Sequence, residues 1–174
     1  MSRATLLLLL LPAMATAGPL SQGRMSVGLG ASGGPRTVSV GAGFGYFVID
    51  QLRPGIALTY TWQGSDVADA HRLFTELSLR YYILDLLSGP VSPFIEANGG
   101  VVWLGYRGDR LDEDYVFYTV GGLGGALFMV SRNFGLEAFA GVIAYLGADA
   151  VLVEAGVLPE DVDFRWGLGF SVLF

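Results

Sequence analysis

Arg72, Glu76 and Arg80 fall at every fourth residue of one stretch of this chain, and Glu96, Glu137 and Arg165 occupy comparable places in three later stretches. Guanidinium and carboxylate groups in such a row can do two things. Facing water, they form a gated path for a small solute. Packed together, they neutralise one another through charge-assisted hydrogen bonds. Folding 71–83 back on 93–106 about Ser88 sets Arg80 opposite Glu96 and Ser78 opposite Asn98, which favours pairing. Arg24 and Asp163 extend the same row.

Other chemistries have less to draw on. His71 is the one histidine; the strand face it shares carries Leu73 and Thr75 rather than a serine, although Asp66 and Asp69 could orient an imidazole. The chain has no Cys, which removes disulfides and thiolate metal sites. Acidic residues gather between strands, at Asp66 and Asp69, at Asp109, Asp112, Glu113 and Asp114, and at Asp149, Glu154, Glu160 and Asp161. Oxygen-rich loops suit divalent cations, but 109–114 lacks the central Gly and distal Glu of an EF-hand, and solvated loop charge accounts for the cluster. Gly41, Gly43 and Gly45 have no helix after them, so they make no phosphate loop. No metal or cofactor is expected. A net charge of −6 argues against nucleic acid as a partner.

The elements that must position the charged row are strands. From 162 to 174, Val162, Phe164, Trp166, Leu168, Phe170, Val172 and Phe174 alternate with small, charged or polar residues, apart from Leu173. Eight such segments are placed at 22–31, 36–48, 54–63, 71–83, 93–106, 115–130, 134–147 and 162–174. On the fourth, Leu73, Thr75, Leu77, Leu79, Tyr81 and Ile83 oppose Arg72, Phe74, Glu76, Ser78, Arg80 and Tyr82. A charge on a lipid-facing wall costs roughly 2–4 kcal/mol near the midplane, so the Arg/Glu face is assigned to the interior. The same logic turns Ile56, Leu58, Tyr60 and Trp62, and Val38, Val40, Phe44 and Tyr46, outward. A water-soluble barrel would reverse this arrangement. In the fifth strand Glu96 and Asn98 point inward, and the same phase sends Val102 and Leu104 inward unless Gly99 and Gly100 mark a bulge. The sixth, with Gly121, Gly122, Gly124 and Gly125, is apolar in both phases: its lumen side is partly hydrophobic or a bulge switches the phase.

Hydrophobic residues make up 52% of the chain, yet after the first residues no segment is long enough for a transmembrane helix. The expected class is all-β, an eight-stranded antiparallel transmembrane β-barrel. At the start, Arg3, the run 6–11 and Ala13, Ala15 and Ala17 have the pattern of a signal peptide, expected to span 1–17 and leave 18–174 as the barrel domain. After export both ends would lie in the periplasm. The short turns at 50–53, 84–92 and 131–133 then face that side, and the connections at 32–35, 64–70, 107–114 and 147–161 face outward, with 148–158 open to a short helix or extra strand.

The strand count, alternation, short turns and terminal Phe174 together resemble the small bacterial outer-membrane barrels of the outer-membrane protein A/X type. The resemblance implies a lumen plugged by side chains, here Arg72, Glu76, Arg80, Glu96, Glu137 and Arg165. It also implies an assembly signal in Trp166, Phe170, Val172 and Phe174, read by the barrel assembly machinery. The expected protein is a non-enzymatic, monomeric integral outer-membrane protein with a structural or surface-interaction role, contacting membrane lipid and lipopolysaccharide. Any surface partner would meet the loop carrying Arg107, Asp109, Arg110, Asp112, Glu113 and Asp114. One alternative is a narrow porin-like or laterally opening conduit for small solutes, hydrophobic ones included, which inward-facing Val102, Leu104, Phe117, Leu123 and Leu127 would favour. A second is a lipid A-modifying enzyme centred on His71, although the deacylase-like His-x-Ser-Asn pattern is absent.

Overall fold

The computed structural model describes residues 20–34, 37–64, 68–83, 90–108, 112–147 and 162–174. The expected signal peptide at 1–17, the stretch 148–158, and Asp66, Asp109 and Arg110 lie outside them. Eight strands run in chain order: β1 (Met25–Gly34), β2 (Thr37–Tyr46), β3 (Leu52–Gly64), β4 (Ala68–Tyr82), β5 (Val91–Gly108), β6 (Asp112–Met129), β7 (Phe134–Leu146) and β8 (Val162–Leu173). Each pairs antiparallel with its sequence neighbour, and β8 returns to β1 to close the barrel. Closure through Ser26–Ala31 and Leu168–Leu173 pairs the two end strands along that stretch, so there the strands dispense with water as a hydrogen-bond partner.

Alternation along the strands divides them into two walls. Leu77, Leu79, Ile56, Leu58, Val116, Tyr118, Phe164 and Leu168 are exposed on the outside, while Arg80, Glu76, Tyr82, Phe94, Leu127 and Thr119 are buried inside. The two ambiguous strands keep one phase throughout. The β4–β5 and β5–β6 registers run unbroken through Gly99 and Gly100, so there is no bulge, and Val102, Leu104, Phe117 and Leu127 face inward with 0–2% exposure. The lumen is therefore partly hydrophobic. Room for its large side chains comes from glycines on the adjoining strand. Phe139 lies across from Gly167, where a Cβ would come within 2.5 Å of its ring, and at Gly141 a Cβ would meet the Gly122 carbonyl and the Cα and Cβ of Leu123 on β6. Glycine at these positions is a packing requirement, since any side chain would collide with the neighbour it accommodates.

The strand limits move at several ends, three of which bear on the interior and the loops. β1 begins and ends three residues later than the alternation suggested, because the segment from Leu20 to Arg24 folds across the end of the barrel. Arg53, read as a turn residue, is the second residue of β3 and points inward. The outward connection at 107–114 is shorter than expected: Arg107 and Asp112 are strand residues paired in register, as their neighbours extend the β5–β6 ladder outward.

Candidate functional site: the charged lumen

At mid-height the interior carries two ion-pair groups. Arg80 donates from Nε to Glu96 Oε2 at 2.6 Å and from Nη1 to Glu137 Oε2 at 2.7 Å, and Ser171 donates its hydroxyl to Glu137 Oε1. The guanidinium lies 3.9 Å from the centroid of the Phe94 ring, adding a cation–π contact. Arg165 donates from Nη1 and Nη2 to the two carboxylate oxygens of Glu76, at 2.6 and 3.1 Å. Antiparallel register explains the first pair: Arg80 sits directly opposite Glu96 across β4–β5. Glu137 and Arg165 reach their partners across the lumen from β7 and β8. Arg72 stands higher, donating to Gln63 Oε1 at 2.6 Å, and belongs to neither group.

Apolar layers bracket the charges. At the end holding Arg24 and Phe174, Leu20, Phe47, Tyr82, Phe94, Leu127 and Leu173 form one buried cluster. Towards the opposite end, Ala70, Phe74, Val102, Leu104, Phe117, Ile143 and Tyr145 form another. Phe47 and Phe94 therefore belong to the interior with Tyr82, whose face was assigned there. Leu20 is held by its carbonyl, which accepts from Gln51 N at 3.0 Å, and Gln51 adopts a left-handed backbone (φ 72°) to make that contact. Arg24 donates to the carbonyls of Leu173 at 3.0 Å and Phe174 at 3.3 Å, tying the first described residues to the last.

Two residues of this interior escaped the sequence reading. Arg53 donates to Ser26 Oγ at 2.9 Å, and Ser171 joins the Glu137 carboxylate. Extending the β3 alternation back through Gly55 would have found Arg53.

The filling is uneven. On β1 and β2 the inward residues Gly28, Gly30, Ser32, Ser39, Gly41 and Gly43 leave space beside the packed half. A cavity of about 160 Å³ runs along that glycine wall past Arg53, Arg80 and Glu137. A second, of about 200 Å³, lies above it between Ser32, Ser39, Thr59, Thr61, Arg72, Phe74, Tyr145, Asp163 and Arg165.

On the outer wall, Trp166, Phe170 and Phe174 are exposed, and Val172 shares their face. His71 is also on that wall, its Nδ1 2.6 Å from the Tyr60 hydroxyl. Asp114 is exposed on β6. Among the described residues no group of His, Cys, Asp and Glu is arranged to hold a metal ion.

Comparison with solved structures places this architecture. The N-terminal β-barrel domain of Pseudomonas aeruginosa OprF matches with a TM-score of 0.60 and 17% identity, covering 88% of this chain and 98% of that one. Neisserial surface protein A matches at 0.63 and 16%, over 87% and 95% of the two chains. The fold is that of the small eight-stranded outer-membrane β-barrels. Ail, the attachment invasion locus protein of Yersinia pestis, is a third, at 0.58 and 15%, over 88% and 99%. No protein-family model matches the chain. No curated protein matches it in sequence.

Proposed function

We propose that the chain is a monomeric integral barrel of the bacterial outer membrane, without enzymatic activity, whose role is structural or one of surface interaction, and whose lumen is closed along its axis. Membrane placement is supported by the outer wall: Val38, Val40, Leu58, Leu77, Val116, Phe164 and Leu168 are each at least half exposed, and apolar residues continue around every strand. In water this would be a patch far beyond the few hundred Å² that soluble monomers expose. The termini face the periplasm, and residues 1–17 are removed on export.

The closed axis rests on one observation, the stacking of the Arg80–Glu96–Glu137 group between two apolar layers. Val102, Leu104, Phe117 and Leu127, which would line a hydrophobic conduit, are packed within those layers. Single-channel recording of the refolded barrel in a planar bilayer is expected to show no steady conductance. Steady ohmic conductance of the wild-type protein would overturn this reading.

Assembly is proposed to use the exposed face of Trp166, Phe170, Val172 and Phe174, read by the barrel assembly machinery. Phe174→Asp is expected to lower the yield of folded, heat-modifiable protein in the outer membrane; an unchanged yield would remove the signal role. Lipid and lipopolysaccharide contact the outer wall. A surface partner, if one binds, would meet Arg107, Asp109, Arg110, Asp112, Glu113 and Asp114 at the top of β5 and β6. Deleting residues 109–111 is then expected to reduce capture while leaving the barrel folded, because shortening a connection changes its closure cost little.

A further inference from the structure

The closing ladder of the barrel is incomplete. β1 and β8 pair only from Ser26↔Leu173 to Ala31↔Leu168. Above that point β1 continues to Gly34 paired with β2, and β8 is paired with β7 from Val162 onward, but among the described residues neither pairs with the other. An open pair of strand edges cannot face hydrocarbon, where unsatisfied N–H and C=O groups cost several kcal/mol each; it is tolerated where it borders a hydrated cavity. The 200 Å³ cavity is at this place. Its lining includes Ser32 of β1 and Asp163, Phe164, Arg165 and Trp166 of β8, all above the last β1–β8 pair. At this place no β1–β8 ladder separates the interior from the outer wall.

The lining defines a guest. Hydroxyl-bearing residues line the cavity, Ser32, Ser39, Thr59, Thr61 and Tyr145, of which Ser39 and Thr61 share a 2.8 Å hydrogen bond. The charges balance, Arg72 and Arg165 against Asp163 and the Glu76 that Arg165 binds. A charged head would have no counter-charge there, and burying it would be costly. Arg165 is the most open of the paired lumen charges, with its side chain 28% exposed against 5–10% for Glu76, Arg80, Glu96 and Glu137. Two of its five N–H groups go to Glu76, so donors remain for an oxygen-bearing guest. Outside the seam, Phe164 and Trp166 offer an apolar surface continuous with Leu168 and the rest of the wall.

We infer that the upper β1–β8 seam is a lateral binding site for a single-chain amphiphile with an uncharged, hydroxyl-bearing head. The head enters the cavity between Ser32 and Arg165, and the acyl chain lies outside against Phe164 and Trp166. The site rests on the membrane placement proposed above and is independent of axial conductance.

The test uses the full barrel refolded in phosphatidylcholine vesicles and monododecanoylglycerol labelled with ¹³C in the glycerol head. The expected result is a saturable head-group resonance, separate from the vesicle-partitioned pool, at one equivalent per barrel. Ser32→Phe fills the cavity without removing a charge and is expected to abolish that resonance. Glu76→Gln/Arg165→Gln removes the pair together and is expected to weaken binding at least tenfold; both variants are checked for heat-modifiable folding. Dodecanoate and free glycerol, labelled in the same way, are each expected to bind at least tenfold more weakly. A single pooled resonance with the inserted wild-type barrel overturns the site and leaves the membrane reading intact. Equal binding of dodecanoate overturns the neutral head, and equal binding of glycerol overturns the amphiphile. Failure of the barrel to insert overturns both readings.

Discussion

Arg80→Leu is expected to destabilise the folded barrel by about 3–5 kcal/mol, the scale for breaking a buried pair by removing one partner. The effect should be large because one guanidinium serves two carboxylates: Glu96 and Glu137 would both remain in the lumen, with side chains only 9% and 10% exposed. Ser171 would still donate to Glu137, which is too little to hold a second negative charge close to Glu96. The triple variant Arg80→Leu/Glu96→Gln/Glu137→Gln removes the charges with their partner and should recover more than half of the loss. Urea unfolding in phospholipid vesicles measures both. Equal midpoints for the single and triple variants would mean that the three residues are not coupled.

Leu77→Arg carries the second large effect, about 2–4 kcal/mol if its place midway along β4 lies near the bilayer midplane. Leu77 is 66% exposed, the highest value among the large apolar side chains of the outer wall. On a protein surrounded by water such a position accepts Arg at almost no cost, so the penalty reports the surrounding solvent rather than packing. Leu77→Ala should cost much less. Unfolding of Leu77→Arg at the wild-type urea concentration in vesicles would contradict the membrane placement.

The architecture was legible because a period of two survives any error in strand ends. The face assigned to Arg72, Glu76 and Arg80 is the buried one even though β4 begins three residues earlier than the alternation suggested. The Arg80–Glu96 juxtaposition followed from a single turn position, since antiparallel register propagates from the hairpin. Glu137 as second acceptor and Glu76 as partner of Arg165 were not legible, because they join strands that are distant in sequence and meet only across the closed lumen. The phase of β5 and β6 was hidden for a different reason. Both faces there are apolar, one against the outer surroundings and one against the packed layer of Phe74, Val102, Leu104 and Phe117, so alternation carries no contrast. The cavity along the β1–β2 wall was invisible because it comes from what Gly28, Gly30, Gly41 and Gly43 lack.

The link from Arg24 to Leu173 and Phe174 bears on how the barrel comes together. Seven of its eight ladders join strands adjacent in the chain, and in all of them but β7–β8 the connection is short. The eighth joins residues almost a chain length apart and contributes six residue pairs. Until it forms, β1 and β8 are both open edges, able to pair with other chains. Arg24 can reach the carbonyls of Leu173 and Phe174 only when β8 has arrived, and the exchange of backbone bonds between Met25 and Phe174, at 3.2 and 2.9 Å, is completed at the same place. The guanidinium is thus a latch on the final step: its loss would leave the hairpins untouched and shift the balance between an open curled sheet and the sealed cylinder.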